Sequence, residues 1–286
     1  MNRYDYITSY FDKDQLVDLL NLKPEHINIR HVLTTLLFIH RYNGNSRNEY
    51  FSSEILDNFT YPWSVLEHSI LCDNIAILLN LPIHIRKPVF IHDFHEGLMG
   101  DITSPVIKAI HNIADTPIDP VRHLQDYLQN AFDKAVGYVY PEAEVDKNQI
   151  RKIIKMVDFS AALLEMYHFW PKIRTDKIEK LYNRLKPALA LKNYQDGQPE
   201  QIHSNNFLVN KVRHDIILKV ATNRFEDIFP GILMHQKFIR DNLANDAHHN
   251  ALWAKETRSM DMAADKILSD IEKLSDMNIE NKEMAP

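Results

Sequence analysis

Imidazoles and carboxylates at helical spacings are the chemistry-bearing residues of this chain. Glu67-His68-Ser69 comes first. His92-Asp93-Phe94-His95-Glu96 follows and runs on through Gly97, Gly100 and Asp101 to Pro105, and Asp158 stands alone between Ile154 and Ala162. Imidazole nitrogens and carboxylate oxygens together hold a borderline divalent cation such as Zn, Co or Mn. His92-Asp93 can offer two donors from one helix end, with His68 and Asp158 supplying one each from two other helices. Glu96 lies one turn beyond Asp93, close enough to face the same cavity while staying off the ion. A carboxylate placed there can handle water. With 15 histidines in the chain, a lone His-Asp pair would carry no weight. The ordered set does.

That set resembles the HD-domain metal-dependent phosphohydrolases, and among them the bacterial 5′-deoxynucleotidases and their phage relatives that hydrolyse deoxynucleotides. Those proteins carry an EHS motif on one helix, then HDxxExxxGDxxxP, then a late Asp on a helix rich in small residues. Glu67-His68-Ser69 matches the first motif. His92-Asp93, Glu96, Gly100-Asp101 and Pro105 match the second without a gap, and Asp158 matches the third. A further similarity lies in Arg41-Tyr42-Asn43-Gly44-Asn45-Ser46, which is like an RFxGHS/T string with Asn45 in the place of His.

The resemblance implies an all-α HD-domain bundle and one divalent ion on His68, His92, Asp93 and Asp158, with Co, Mn or Zn favoured over Mg. It implies catalysis by a metal-activated water with Glu96 as the base, and contact of Asp101 with water or sugar. Arg41 would meet the substrate phosphate, a task that suits a guanidinium fork. Residues 48–60 read as an insertion before Trp63, so either Tyr42 or Trp63 would pack on the nucleoside. The implied substrates are deoxynucleoside 5′-monophosphates. A deoxynucleoside triphosphate triphosphohydrolase is the alternative, and a non-catalytic helical scaffold a further one. Alarmone hydrolases carry HDxxED, but Gly97 follows Glu96 here. Cyclic-dinucleotide phosphodiesterases carry GYP, but Val139 follows Gly137-Tyr138.

Composition narrows the partners. A net charge of −6 lacks the basic footprint of a nucleic-acid polymer or an anionic membrane, but a small nucleotide needs only a local field. Six glycines, none in GxxxxGK or GxGxxG, leave metal and side chains to recognise phosphate. No apolar run is long enough to span a bilayer, the first residues lack a signal-peptide profile, and the single cysteine, Cys72, permits no internal disulfide. A cytoplasmic protein is the expectation.

The elements that must position these groups read as helices throughout. Residues 14–20 predict a short helix and Pro24 opens a longer one ending at Arg41. The EHS helix runs to Leu79, Pro88 starts the HD helix, and Gly97 and Gly100 let the backbone turn. Ser104-Pro105 and Asp119-Pro120 open two more helices. Small residues beside Asp158 allow close helix approach, and Glu165, two turns on, reads either as a partner behind the ligands or as the polar edge of that stripe, the edge being favoured. Residues 1–192 form the expected catalytic domain, 193–205 a linker and 206–286 a C-terminal helical extension. Met260, Ala264, Ile267, Ile271 and Leu274 form a seam for the main body or for a second copy, which would make a homo-oligomer. His248-His249 reads as surface.

Overall fold

The computed structural model describes residues 9–12, 15–18, 22–44, 63–114, 117, 119–141, 143–169, 175–189 and 206–236. The chain divides into two compact units, Met1–His26 with Lys237–Pro286, and Ile27–Gln236. In the first unit, β1 (Ser9–Asp12) pairs antiparallel with β2 (Gln15–Asp18), Ser9 facing Asp18 and Asp12 facing Gln15, and a 3-10 turn spans Pro24–His26. The short helix expected at 14–20 is therefore a strand. A stretch that short cannot meet the cost of helix nucleation alone, whereas a hairpin with two residues between its strands closes cheaply. The seam at 260–274, His248-His249 and the linker at 193–205 lie outside the described residues.

The second unit is an all-α bundle. Its helices are α1 (Ile29–Phe38), α2 (Val65–Leu78), α3 (Ile83–Ile91), α4 (Glu96–Met99), α5 (Ser104–Ala114), α6 (Pro120–Ala135), α7 (Glu144–Phe169), α8 (Asp176–Leu185) and α9 (Asn206–Ile228). Among the described residues, no helix is long and apolar enough to cross a membrane.

Helix α2 lies at the centre, packed against α1, α3, α7 and α9. Every residue from Val65 to Ala76 is buried, including Glu67, His68, Ser69, Asp73 and Asn74. A helix buried all round has no amphipathic stripe, so its polar side chains must find partners inside the protein. Ser64 and Glu67 close a capping box at its start, the Glu67 carboxylate accepting from Ser64 N and Oγ at 2.9 Å each. The Glu of the EHS motif is thus a helix cap. Asn80, at φ +53, stops the helix in the left-handed conformation that Asn tolerates.

Asp73 is fully buried and takes a two-pronged pair from Arg86 of α3 at 2.8 and 2.9 Å, together with the Arg224 guanidinium of α9. Asn74 receives Arg224 and donates to Ala188 O. Phe94 meets Phe90, Phe132 and Phe225, tying α3, α6 and α9 together. These contacts put α9 in the same compact unit as α1–α8, whereas the sequence groups it with a C-terminal extension. Two other details depart from expectation. Pro88 lies inside α3, which begins at Ile83 behind Pro82. The first long helix is broken at Ile27 and Asn28, between the 3-10 turn and α1.

Gly97 serves packing and not turning, because it sits within α4, where α4 crosses α1. A Cβ there would stand 2.8 Å from Val32 Cγ1, inside any acceptable contact. Gly100, at φ +83, does make the turn toward Asp101. Gly97→Ala should therefore lower unfolding stability by about 1–3 kcal/mol in urea titration, and Val32→Ala should recover part of that loss in the double variant. Simple additivity of the two losses would sink this packing account.

Candidate metal centre

Three elements converge on one point. Helix α2 supplies His68 one turn after its cap, the turn after α3 supplies His92 and Asp93, and α7 supplies Asp158. One donor atom from each of these four residues lies within 4.8 Å of the others. His68 Nε2 is 3.1 Å from Asp158 Oδ1 and 3.7 Å from Asp93 Oδ2. His92 Nε2 is 3.2 Å from Asp93 Oδ2 and 3.7 Å from Asp158 Oδ1. The spacing of ligand atoms around a small divalent ion, with bonds of about 2 Å, is on the order of 3–4 Å.

The hydrogen bonds behind the two rings fix which nitrogens face inward. His92 Nδ1 donates to Val89 O at 2.8 Å, which in the neutral ring leaves the lone pair on Nε2; that atom is buried and has no hydrogen-bond partner among the described residues. His68 Nδ1 meets Glu165 Oε1 at 2.6 Å, which turns the His68 Nε2 lone pair toward Asp158 and Asp93. Lone pairs and carboxylate oxygens facing one another repel unless positive charge stands between them. Burial and the Arg41 charge depress the His68 pKa, yet Cys72, Glu165 and Asp158 hold it well above the usual range. Burial likewise opposes the shift at His92, and Asp93 and Asp158 overcome it. Burial raises both Asp93 and Asp158, but the two histidines hold each carboxyl well below its ordinary value. The shifts at His92, Asp93 and Asp158 arise largely from one another, and imidazole nitrogens and carboxylate oxygens converging this closely are donors that fit a metal ion.

Around this set stand the other sequence-predicted residues. Glu96 is buried, and its Oε2 has no hydrogen-bond partner among the described residues. Burial, with the Asp93 and Asp101 charges, raises its pKa well above the ordinary range. Asp101 is half-buried and also raised, by burial first and by Asp93, while Arg41 and His68 pull the other way. Arg41 reaches the centre despite the insertion in the sequence, because the two ends of the connection are pinned together. His40 bridges Ser64, Arg41 N donates to Trp63 O at 2.8 Å, and Val65 N donates to Ile39 O at 2.9 Å. Residues 48–60 themselves lie outside the described residues.

The residue that sequence reasoning misjudged is Glu165. Expected at the polar edge of its helix, it is 2% exposed and accepts from four side chains. His68 Nδ1 and Trp63 Nε1 (3.0 Å) meet Oε1, while Arg41 Nε (3.2 Å) and Tyr42 Oη (2.7 Å) meet Oε2. Burial raises its pKa, but Arg41 and His68 outweigh that and hold the carboxyl low. The signal was its position seven residues after Asp158, two turns along the same face. Tyr42 and Trp63, the alternatives for the nucleoside wall, are both brought to this one carboxylate. Cys72, one turn after His68, completes a second, overlapping set with His68 and His92, its Sγ 3.4 Å from His68 Nε2.

No family model matches the chain. It is similar to an uncharacterized protein of Rhodobacter capsulatus, 31% identical over 96 residues. That match covers 33% of this chain and 43% of the relative, so the chain aligns with less than half of that protein's length.

The HD turn is braced from behind by α6. Gln129 Oε1 faces His95 N and Nδ1, and its amide donates to Ile91 O at 2.9 Å and Asp133 Oδ1 at 3.0 Å. Burial pushes the Asp133 pKa up to about 6, against the lowering effect of Gln129. A carboxyl that binds its proton more tightly folded than unfolded stabilises the fold below its unfolded pKa of about 4, and that contribution is lost as pH rises through 6. Asp133→Asn, which keeps an acceptor for Gln129, should therefore gain on the order of 2 kcal/mol over the parent at about pH 7 and little at about pH 4. Denaturant midpoints at the two pH values measure it; a variant less stable at neutral pH would contradict the assignment.

Proposed function

We propose that this chain is an HD-type, metal-dependent phosphohydrolase acting on small nucleotides in the cytoplasm, with deoxynucleoside 5′-monophosphates as the leading substrate class. The observation that carries the reading is the convergence of His68, His92, Asp93 and Asp158 beside a separate buried carboxylate, Glu96, whose Oε2 has no partner among the described residues. A scaffold would have no use for an unsatisfied acid next to an ion site, since leaving such a group buried costs stability. The ordered motifs and their resemblance to the deoxynucleotidases supply the substrate class.

A divalent ion in this centre, Co, Mn or Zn in preference to Mg, supplies Lewis-acid polarisation of a phosphoryl oxygen and acidifies water. The protein side chains do the rest. Glu96 Oε2 takes a proton as the water oxygen forms its bond to phosphorus. As the bond from phosphorus to the 5′ oxygen breaks, the same carboxyl returns a proton to the leaving alkoxide. Burial, with the Asp93 and Asp101 charges, makes its carboxylate bind a proton more readily than a free one, as accepting a proton from water requires. Arg41 has Nε committed to Glu165 and NH1 3.6 Å from Asp93, so the outer edge of its guanidinium is the part that can meet a phosphate oxygen. Asp101 borders the centre, where it can hold water or a sugar hydroxyl. Tyr42 and Trp63 line the side on which a nucleoside would rest.

Two experiments test the reading. Asp93→Ala should lose its bound ion and nearly all hydrolysis while keeping its helical content. Glu96→Gln should keep the ion and lose about 10²–10⁴ in kcat with little change in KM. Full metal content and activity in Asp93→Ala would remove the site, and a KM effect alone in Glu96→Gln would make Glu96 a binding residue. The second experiment places dAMP and dATP side by side and identifies the products. Inorganic phosphate from dAMP is expected. Inorganic triphosphate from dATP with dAMP untouched would promote the triphosphohydrolase alternative, and metal-free protein inert to both would leave the helical scaffold.

A further inference from the structure

We propose that Glu165 is a positioning residue that joins the ion site to the substrate wall, fixing His68 as an Nε2 ligand while anchoring Arg41, Tyr42 and Trp63. The inference rests on the reading of His68 as a ligand. It concerns a carboxylate that none of the motifs contains.

Three observations support it. The Glu165 carboxylate accepts from two side chains on each oxygen, so it is held against rotation and the direction of its acceptor for His68 Nδ1–H is set. A carboxylate behind a ligating imidazole fixes the tautomer and makes the ring a stronger donor. His92 is oriented differently, by the neutral Val89 carbonyl, so the two rings are held by groups of unequal strength. Finally, Tyr42 is held at φ +57, a conformation that a bulky residue adopts only when its surroundings demand it. From there its hydroxyl reaches Glu165 at 2.7 Å.

The partners come from both ends of one connection, Arg41 and Tyr42 before it and Trp63 after it. All of them meet the carboxylate that grips the His68 ring. A displacement of Tyr42 or Trp63 by a bound nucleoside would therefore be felt at His68 without any contact between nucleoside and ion. The reciprocal also holds, because two events that share an anchor are coupled equally in both directions.

The test uses the full chain loaded with Co(II), whose unpaired electrons shift the resonances of exchangeable imidazole protons on its ligands. The parent protein should show two such resonances, from His68 Nδ1–H and His92 Nδ1–H, assigned by their loss in His68→Asn and His92→Asn. In Glu165→Gln the His68 resonance should move or exchange away while that of His92 stays, and the Co(II) dissociation constant should rise about 10–100-fold. Tyr42→Phe and Trp63→Phe each remove one donor to Glu165 and leave the four ligand side chains unchanged. They should move the His68 resonance and leave that of His92, which keeps the test decisive if Glu165→Gln fails to fold. Unchanged resonances and affinity in a folded Glu165→Gln, or in both aromatic variants, would overturn the role of Glu165 and leave the ion site standing. No Co(II) uptake by the parent protein would instead overturn the ligand reading of His68.

Discussion

A helix buried on all sides that still carries five polar side chains sets the terms for this fold. Helix α2 cannot show Glu67, His68, Ser69, Asp73 and Asn74 to water, so each must be satisfied by something packed against it. Glu67 turns back on the helix start and Ser69 donates to Val65 O at 3.1 Å. Asp73 and Asn74 recruit Arg86, Arg224 and the Ala188 carbonyl, which brings α3, α9 and the turn after α8 into place. His68 recruits α7 through Asp158 and Glu165. Removing one partner of such a buried ionic group is costly, on the order of 3–5 kcal/mol, because the other charge stays behind.

The same helix divides two kinds of polar network. Around Asp73 two guanidiniums meet one carboxylate, and that network serves the fold. Around His68 two imidazoles and two carboxylates converge with Arg41 beside them, and Arg41 is itself engaged by Glu165. That second group is a donor set that could hold a metal ion.

Glu96 and Glu165 show how burial assigns opposite roles to one residue type. Glu165 is surrounded by donors that keep it ionised, so it can orient other groups but has no capacity left for a proton. Glu96 is buried beside other carboxylates, which favours its protonated form. Neither role could be read from the letter in the sequence. Each depends on which charges the tertiary structure brings within a few ångströms.

The sequence by itself determined a good deal of this protein. The all-α class follows from helical periodicity. The cap at Asp119 is local chemistry, as is the turn at Gly100. The four donors could be named because His92 and Asp93 are adjacent and the whole set follows the order of motifs that the chain resembles. What lay beyond reach were relations across long stretches of chain. Glu165 lies 97 residues from His68 and 124 from Arg41, and no local spacing links them. The packing role of Gly97 needs Val32 of α1, and the place of α9 needs Asp73 and Phe94. Residues 15–18 went the other way, their local pattern overridden by pairing with residues 9–12. Local rules settle how each segment folds, because caps and periodicity act within a turn or two. Which buried charge meets which partner is decided only when the helices pack and water is excluded.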